Sequence, residues 1–210
     1  LKTLVAYPAG IDSTVYDIPE GTETVGRFAF WGNKHLTDVN IPEGVTSIEE
    51  SGFNGVKIAD LRLPQSLKTI GRVAFGSNSS ISIINIPDGV DSIADMAFFA
   101  CNNVDSLYLG KSVRYIGEDA FSGISAKKLW LPESLEYVGK NGLKSSGLTE
   151  CQALGTTPAV CEGDVFGIQD RKEVLHDDTP STLYVPAGCT NAYAIAEGFK
   201  TFDNIVEMTT

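Results

Sequence analysis

The sequence predicts a mostly β, right-handed solenoid whose coils of 22 or 23 residues stack on one another. The first observation behind this prediction is a proline that recurs at this interval after Ile or Leu. Its positions are Pro19, Pro42, Pro64, Pro87 and Pro132. Gly110 stands where a further proline would keep the interval, and Leu154 marks a seventh, degenerate position. Such a period is typical of solenoids, which bury their apolar faces only by stacking.

The second observation is that apolar residues keep fixed distances from each proline. A residue such as Val45 follows after three positions, and one such as Ile48 follows after six. A phenylalanine preceded by Ala or Gly follows after eleven positions. These phenylalanines are Phe30, Phe53, Phe75, Phe98 and Phe121, and Leu143 replaces them in the sixth unit. We therefore expect a continuous core with a phenylalanine spine along the solenoid axis.

Each unit starts with a short strand before its proline. Val39 and Ile41 point inward and Asn40 points outward, which is the two-residue period of a strand. Proline ends the strand because it has no N–H for the ladder. We expect these parallel strands on one face, in a seven-coil sheet roughly 30 Å long with strands about 4.8 Å apart. The returns are predicted to be irregular or short helices.

One more position of the unit is similar to the Asn/Cys position of leucine-rich repeats. It lies fourteen residues after the proline, and we expect its side chain to point inward. Its occupants are Asn33, Val56, Asn78, Cys101, Ile124 and Ser146.

Both ends of the chain depart from the repeat, as the caps of a solenoid do. Residues 1–18 are predicted to form N-terminal capping strands, truncated at the first residue, at 1–8 and 11–18. Residues 19–154 are the leucine-rich repeats, and residues 155–210 are a degenerate repeat with a C-terminal cap.

Within the C-terminal cap we expect residues 155–182 to be irregular, with a charged loop at 169–178. The strand pattern resumes at 183–186. Thr190 or Asn191 is predicted to cap a helix that runs through Glu197, with Gly198 just beyond its end. The apolar side chains expected to close the core are Phe199, Phe202, Ile205 and Val206.

The composition narrows the classes of function. The 210 residues include 16 Lys and Arg against 27 Asp and Glu, for a net charge of −11. This acidity disfavours nucleic-acid binding, which needs clustered cations, and disfavours anionic membrane surfaces. We expect no membrane insertion in this segment because no run of about 20 apolar residues occurs. The chain begins at Leu1 without an apolar leader, so we expect any signal or anchor to be absent from this chain.

No pattern in the sequence predicts a catalytic site, a metal site or a cofactor. Of the two histidines, His176 lies in a His-Asp-Asp loop that could hold a cation weakly, but we favour a solvated loop. Four cysteines occur, Cys101, Cys151, Cys161 and Cys189, without metal-ligand spacing. We favour buried structural thiols, and a bridge from Cys151 to Cys161 or to Cys189 stays open.

The unit resembles the repeat of BspA-like, or treponemal-type, leucine-rich repeat proteins. The residues that carry the resemblance are Ile41-Pro42-Glu43-Gly44-Val45-x-x-Ile48 and Ile116-Gly117-x-x-Ala120-Phe121-x-Gly123. The segment from Leu183 to Val206 is similar to the closing segment of Bacteroidetes members. The resemblance implies a bacterial surface or secreted protein. Some members are implicated in adhesion, and the family supplies no catalytic residues to carry over.

The outward residues of the strands form the candidate binding site. Residues two positions before each proline should form one row across the sheet face, and residues four positions before it should form a second row. Tyr108 and Trp130 should be adjacent in the first row. Exposed aromatic residues near cations are favoured at binding hot spots, although aromatic residues also suit strands that bind nothing. The candidate binding residues are Arg62, Asn85, Tyr108, Lys128, Trp130, Gln152 and Tyr184.

Two hypotheses about function follow. The first is a non-enzymatic extracellular or cell-surface module that adheres to a host or bacterial surface protein or glycan through the exposed sheet face. The second is a structural spacer within a larger cell-surface protein, with no ligand of its own. An enzyme ranks last because no acid, base or metal set converges.

Overall fold

The computed structural model describes residues 2–8 and 11–209. It shows a mostly β protein whose parallel strands stack into a solenoid of about 9 turns, so the predicted fold class is confirmed. Two strands beyond the degenerate unit continue the stack, which therefore exceeds the seven coils expected from the sequence. The first predicted capping strand begins at Leu1, which lies outside the described residues.

The strands are short, and most of them hold two or three residues. In chain order they are β1 (Thr3–Leu4), β2 (Val15–Asp17), β3 (Thr24–Val25), β4 (Asp38–Asn40), β5 (Ser47–Ile48), β6 (Thr69–Ile70), β7 (Ile83–Asn85), β8 (Ser92–Ile93), β9 (Ser106–Tyr108), β10 (Tyr115–Ile116), β11 (Lys128–Leu131), β12 (Tyr137–Val138), β13 (Glu150–Ala153), β14 (Val160–Cys161), β15 (Thr182–Val185) and β16 (Asn204–Glu207). The helices are α1 (Ile168–Val174), α2 (Thr190–Ile195) and a 3₁₀ turn (Phe199–Thr201).

The strands that precede the prolines form the front face. We number the coils by these strands, from β2 in coil one to β16 in coil nine. The front sheet has six strands in the order β16-β15-β13-β11-β9-β7, and β2 pairs only with β4. Coil three, at residues 58–63, contributes no strand between β4 and β7. The described backbone of residues 60–63 makes no hydrogen bond, so the front face is interrupted there.

A second sheet runs along the opposite side, which the sequence pattern did not indicate. This back sheet has eight strands, in the order β1-β3-β5-β6-β8-β10-β12-β14. Each of its strands has two residues, such as Thr69 outside and Ile70 inside. Two residues are too few to show a strand period. The rest of each return is a series of turns, as expected.

The phenylalanine spine fills the centre of the core. Phe30, Phe53, Phe75, Phe98 and Phe121 are all fully buried. Their successive ring centroids lie 4.7, 5.2, 5.1 and 5.2 Å apart, and neighbouring planes differ by 8° or less. At the N-terminal end, Tyr7 and Tyr16 cover the outer side of Phe30. The Asn/Cys position is also buried, except that Ser145 replaces the predicted Ser146 because Ser145 bridges to Ile124.

A left-handed residue precedes each spine residue by two positions. These residues are Phe28, Ser51, Val73, Met96, Asp119 and Asn141, with φ between 53° and 58°. In the turn around this residue, the amides of alternate residues point towards the next coil and donate hydrogen bonds to it. In coil three, Val73 donates to Asp95 at 3.1 Å and Phe75 donates to Ala97 at 2.7 Å. A left-handed conformation costs about 1–2 kcal/mol for most residues, so this hydrogen-bond geometry overrides local preference.

The structure of the C-terminal cap differs from several of the expectations. Helix α1 overlaps the segment predicted to be a charged loop. The first amides of this helix donate hydrogen bonds to the Asp164 carboxylate, and the bond from Gln169 is 2.8 Å long. Arg171 is buried on this helix, where it donates to the carbonyl oxygens of Leu148 and Thr179 at 2.5 and 2.6 Å. Strand β14 also lies in the segment expected to be irregular.

The second predicted helix is shorter than expected. Helix α2 begins at Thr190, and its capping position is Cys189, while the Thr190 hydroxyl donates to Glu207 at 2.9 Å. It ends at Ile195 because Ala196 is extended. Phe199 and Phe202 are buried as predicted, but Val206 is 43% exposed because it points outward from β16.

All four cysteines lie in the described part of the chain and are free and buried. The expected burial of the four thiols is therefore confirmed, and Cys151 bridges neither Cys161 nor Cys189. Burial raises the pKa of the Cys101 and Cys161 thiols to about 12, which leaves them protonated near neutral pH.

A pair of neighbouring phenylalanines tests the spine. Phe98 is fully buried between two stacked rings, whereas Phe99 is 40% exposed. We expect Phe98→Ala to lower the free energy of unfolding by about 3–5 kcal/mol because it leaves a cavity. Phe99→Ala should lower it by about 1 kcal/mol or less. Urea denaturation measures both changes, and equal losses would contradict a spine that stabilises the stack.

The left-handed position predicts a stabilising substitution. Val73 is β-branched at φ 53°, whereas Asn141 occupies the same position of its unit at φ 54°. Since Asn tolerates this conformation, Val73→Asn should raise the free energy of unfolding by about 1 kcal/mol. Asn141→Val should lower it by a similar amount. Thermal melts of the two variants test the sign of each change in stability. Lower stability in both variants would contradict backbone strain at Val73.

Candidate functional site

The register of the front sheet aligns five of the predicted site residues in one column. Its pairs are Asn85 with Tyr108, Tyr108 with Trp130, Trp130 with Gln152, and Gln152 with Tyr184. Because neighbouring side chains on one face of a parallel sheet lie side by side, these residues form a continuous outward row. We call this row the front column.

Tyr108 and Trp130 stack at the centre of the front column. Their ring centroids lie 5.8 Å apart, and their planes differ by 11°. Tyr108 is 47% exposed and Trp130 is half-buried. One face of each ring is used by the stack, so the outer faces point along the column towards Asn85 and Gln152. Solvent-accessible stacked rings offer apolar contact area in a fixed geometry.

A second column lies beside the first and carries Lys128. It also contains the partly buried Ser106, Glu150 and Thr182. The Lys128 ammonium lies 2.7 Å from the Glu150 carboxylate. A hydrogen bond to this carboxylate raises the pKa of Lys128. The cation is therefore balanced within the sheet.

Arg62 does not join the other predicted residues. It lies in coil three, where the front sheet is interrupted, and coil four with Asn85 separates it from Tyr108. Its guanidinium donates to Asp38 at 2.7 Å and lies 3.5 Å from Asp60. The hydrogen bond to Asp38 raises the pKa of Arg62. The expectation of an arginine close to the aromatic pair is therefore wrong.

A polar groove marks the interruption between coils three and four. Asp60, Arg62 and Gln65 line one wall, and Asn85 and Asp88 line the other. This groove adjoins the front column because Asn85 belongs to both. A hydrogen bond from Lys111 lowers the pKa of Asp88.

The described residues offer few features that would indicate a metal site, a cation site or a membrane-spanning helix. In the ranges 2–8 and 11–209, no group of three or more His, Cys, Asp or Glu residues could hold a metal ion. Asp177 lies in the loop for which the sequence favoured a solvated role over weak cation binding, and it accepts hydrogen bonds from the amide and hydroxyl of Thr179. Among the helices that these ranges contain, none is long and apolar enough to cross a membrane.

Exposed tyrosines on the back sheet were missed by sequence reasoning. Tyr115 is 40% exposed and pairs with the half-buried Tyr137. The Tyr115 hydroxyl donates to Glu136 at 2.9 Å, and the Arg114 guanidinium lies 5.2 Å from its ring centre. Both lie at the same position of the repeat, five residues after Gly110 and Pro132, and this constant position could have revealed the second row.

Comparisons with known proteins agree with the geometry. The sequence profile for the BspA type leucine rich repeat region matches residues 11–124 with 6 copies. None of the curated proteins compared with the sequence matches it.

Two solved structures share the fold. A leucine-rich repeat protein from Bacteroides ovatus ATCC 8483 is 20% identical with a TM-score of 0.61, over 93% of this chain and 61% of that one. The pneumococcal vaccine antigen PcpA is 21% identical with a TM-score of 0.60, over 99% of this chain and 45% of that one. At these identities the likeness shows the fold alone, and this chain spans under two thirds of either protein. Because the profile matches more than half of the sequence, the chain belongs to the BspA-type leucine-rich repeat family.

Proposed function

We propose that this chain is a non-enzymatic, extracellular or cell-surface adhesion module that binds a surface protein or glycan of a host or of another bacterium through its front sheet. The observation that carries the proposal is the exposed stack of Tyr108 on Trp130 at the centre of an in-register column. Solenoids commonly use such extended sheet faces for binding.

The composition of the front face supports a binding role over a bare spacer. A spacer needs only a soluble surface, and charged side chains would serve it best. The front column instead places Tyr108, Trp130 and Tyr184 on successive or nearby coils. Aromatic residues are among those that contribute most to binding when a partner covers them.

The proposed location follows the family. The chain belongs to a family of repeat proteins, and one protein that shares its fold is described as a vaccine antigen. The excess of acidic residues also agrees with partners other than nucleic acid.

Paired substitutions on the two sheets test this function. The variant Tyr108→Ala/Trp130→Ala removes the front stack, and Tyr115→Ala/Tyr137→Ala removes similar aromatic area from the back sheet. Wild type and both variants, matched for thermal stability, are probed against arrays of matrix proteins, glycans and whole bacterial cells. We expect the front variant to lose binding by about tenfold or more and the back variant to retain it.

Two outcomes would count against this role. Equal loss in both variants would mean that recognition is not specific to the front sheet. Absence of any binding by the wild type across the three classes of probe would favour the spacer.

A further inference from the structure

The polar side chains of the front column favour one class of ligand. Its polar members beside the aromatic pair are the amides of Asn85 and Gln152 and the hydroxyl of Tyr184. Each amide offers two donors and an acceptor, and a phenol offers one of each. Sugar hydroxyls also donate and accept, so these groups match a polyhydroxylated ligand at every position.

The charges on this part of the face cancel. From coil four to coil eight the two columns carry one cation, Lys128, and one carboxylate, Glu150, which are paired at 2.7 Å. The whole chain has a net charge of −11, which disfavours an acidic ligand and leaves an uncharged ligand unaffected.

The aromatic pair suits the C–H faces of a sugar ring. The outer face of Tyr108 looks along the column towards the exposed Asn85, and that of Trp130 looks towards Gln152. Aromatic contact and an amide therefore lie side by side at two neighbouring places. A binding site for a protein partner would favour an unpaired arginine beside the aromatic pair. Arg62 lies instead in coil three, where its guanidinium donates a hydrogen bond to Asp38 at 2.7 Å.

The column also fits the shape of an extended chain. Five in-register side chains at a spacing of about 4.8 Å span about 20 Å along the solenoid axis. All five side chains are at least partly exposed, so a long polymer can contact them together. Repeated contacts along a polymer compensate for weak binding of each unit.

We propose that the front column, from Asn85 to Tyr184, binds an uncharged, extended glycan laid along the solenoid axis. This inference rests on the proposed function and narrows its ligand to one class. Tyr108 and Trp130 contact the C–H faces of the central sugars, and the amides of Asn85 and Gln152 hydrogen-bond to the hydroxyls on either side.

Affinity gel electrophoresis tests the ligand class. The intact chain is run through gels that contain a neutral polysaccharide (hydroxyethyl cellulose, mannan, galactan or glycogen) or an anionic one (heparin or hyaluronate). We expect retardation by at least one neutral polymer, with an affinity that changes little between low and high salt, because no counterions are released. Trp130→Ala should weaken it by about tenfold or more, and Trp130→Tyr should restore part of it. Tyr115→Ala on the back sheet should leave it unchanged.

A charge substitution separates hydrogen bonding from stacking. Gln152→Glu keeps the size of the side chain but removes both amide donors, so we expect a several-fold loss for the neutral polymer. Circular dichroism and thermal melting confirm that each variant is folded.

The remaining outcomes overturn the proposal. Retardation only by the anionic polymers, or by none, contradicts it. Binding to enzymatically deglycosylated matrix proteins that is lost in Trp130→Ala, without retardation by neutral polymers, would retain the proposed adhesion function and reject the glycan. Retardation that survives Trp130→Ala would place any glycan site elsewhere.

Discussion

The stacking of one phenylalanine ring on the next is the interaction on which the other coil features depend. The ring spacing of 4.7–5.2 Å is close to the distance of about 4.8 Å between neighbouring strands, so rings and backbone ladders can repeat together. A residue with a small side chain, such as Ala74, precedes each spine residue and leaves room for the turn. The left-handed residue before it, such as Val73, aims the amides at the next coil.

The same in-register stacking determines what the outside of the molecule can do. It places each outward side chain beside its equivalent, so aromatic residues on adjacent coils can stack, as Tyr108 and Trp130 do. The back sheet is continuous from β1 to β14, but the front sheet is interrupted at coil three. The candidate site therefore begins after the interruption and excludes Arg62. It continues through β15 because the strand pattern resumes at Thr182.

The regular coils could be predicted from the sequence because one residue type recurs at each buried position, as with Phe53 and Phe75. The order of the front column from Asn85 to Gln152 followed from the same register, since these residues lie 22 or 23 positions apart. Tyr184 lies 32 positions after Gln152, and its place followed from the strand pattern that resumes at 183–186. The interruption at coil three had no such signal, because Asp60 to Leu63 alternate as the neighbouring strands do. Helix α1 was hidden because the nearby Asp164 carboxylate holds its first amides and because Arg171 is buried by a contact with the distant Leu148 carbonyl.

Amide hydrogen exchange, resolved by residue, tests the central claim most directly. A continuous spine beside an interrupted front face requires slow exchange at Phe53, Phe75 and Phe98, whose amides all donate to the next coil. The amides of Leu61 and Arg62 make no backbone hydrogen bond and should exchange rapidly. Comparable protection at Arg62 and Phe75 would mean that the front sheet is continuous, and it would contradict the account of where the candidate site begins.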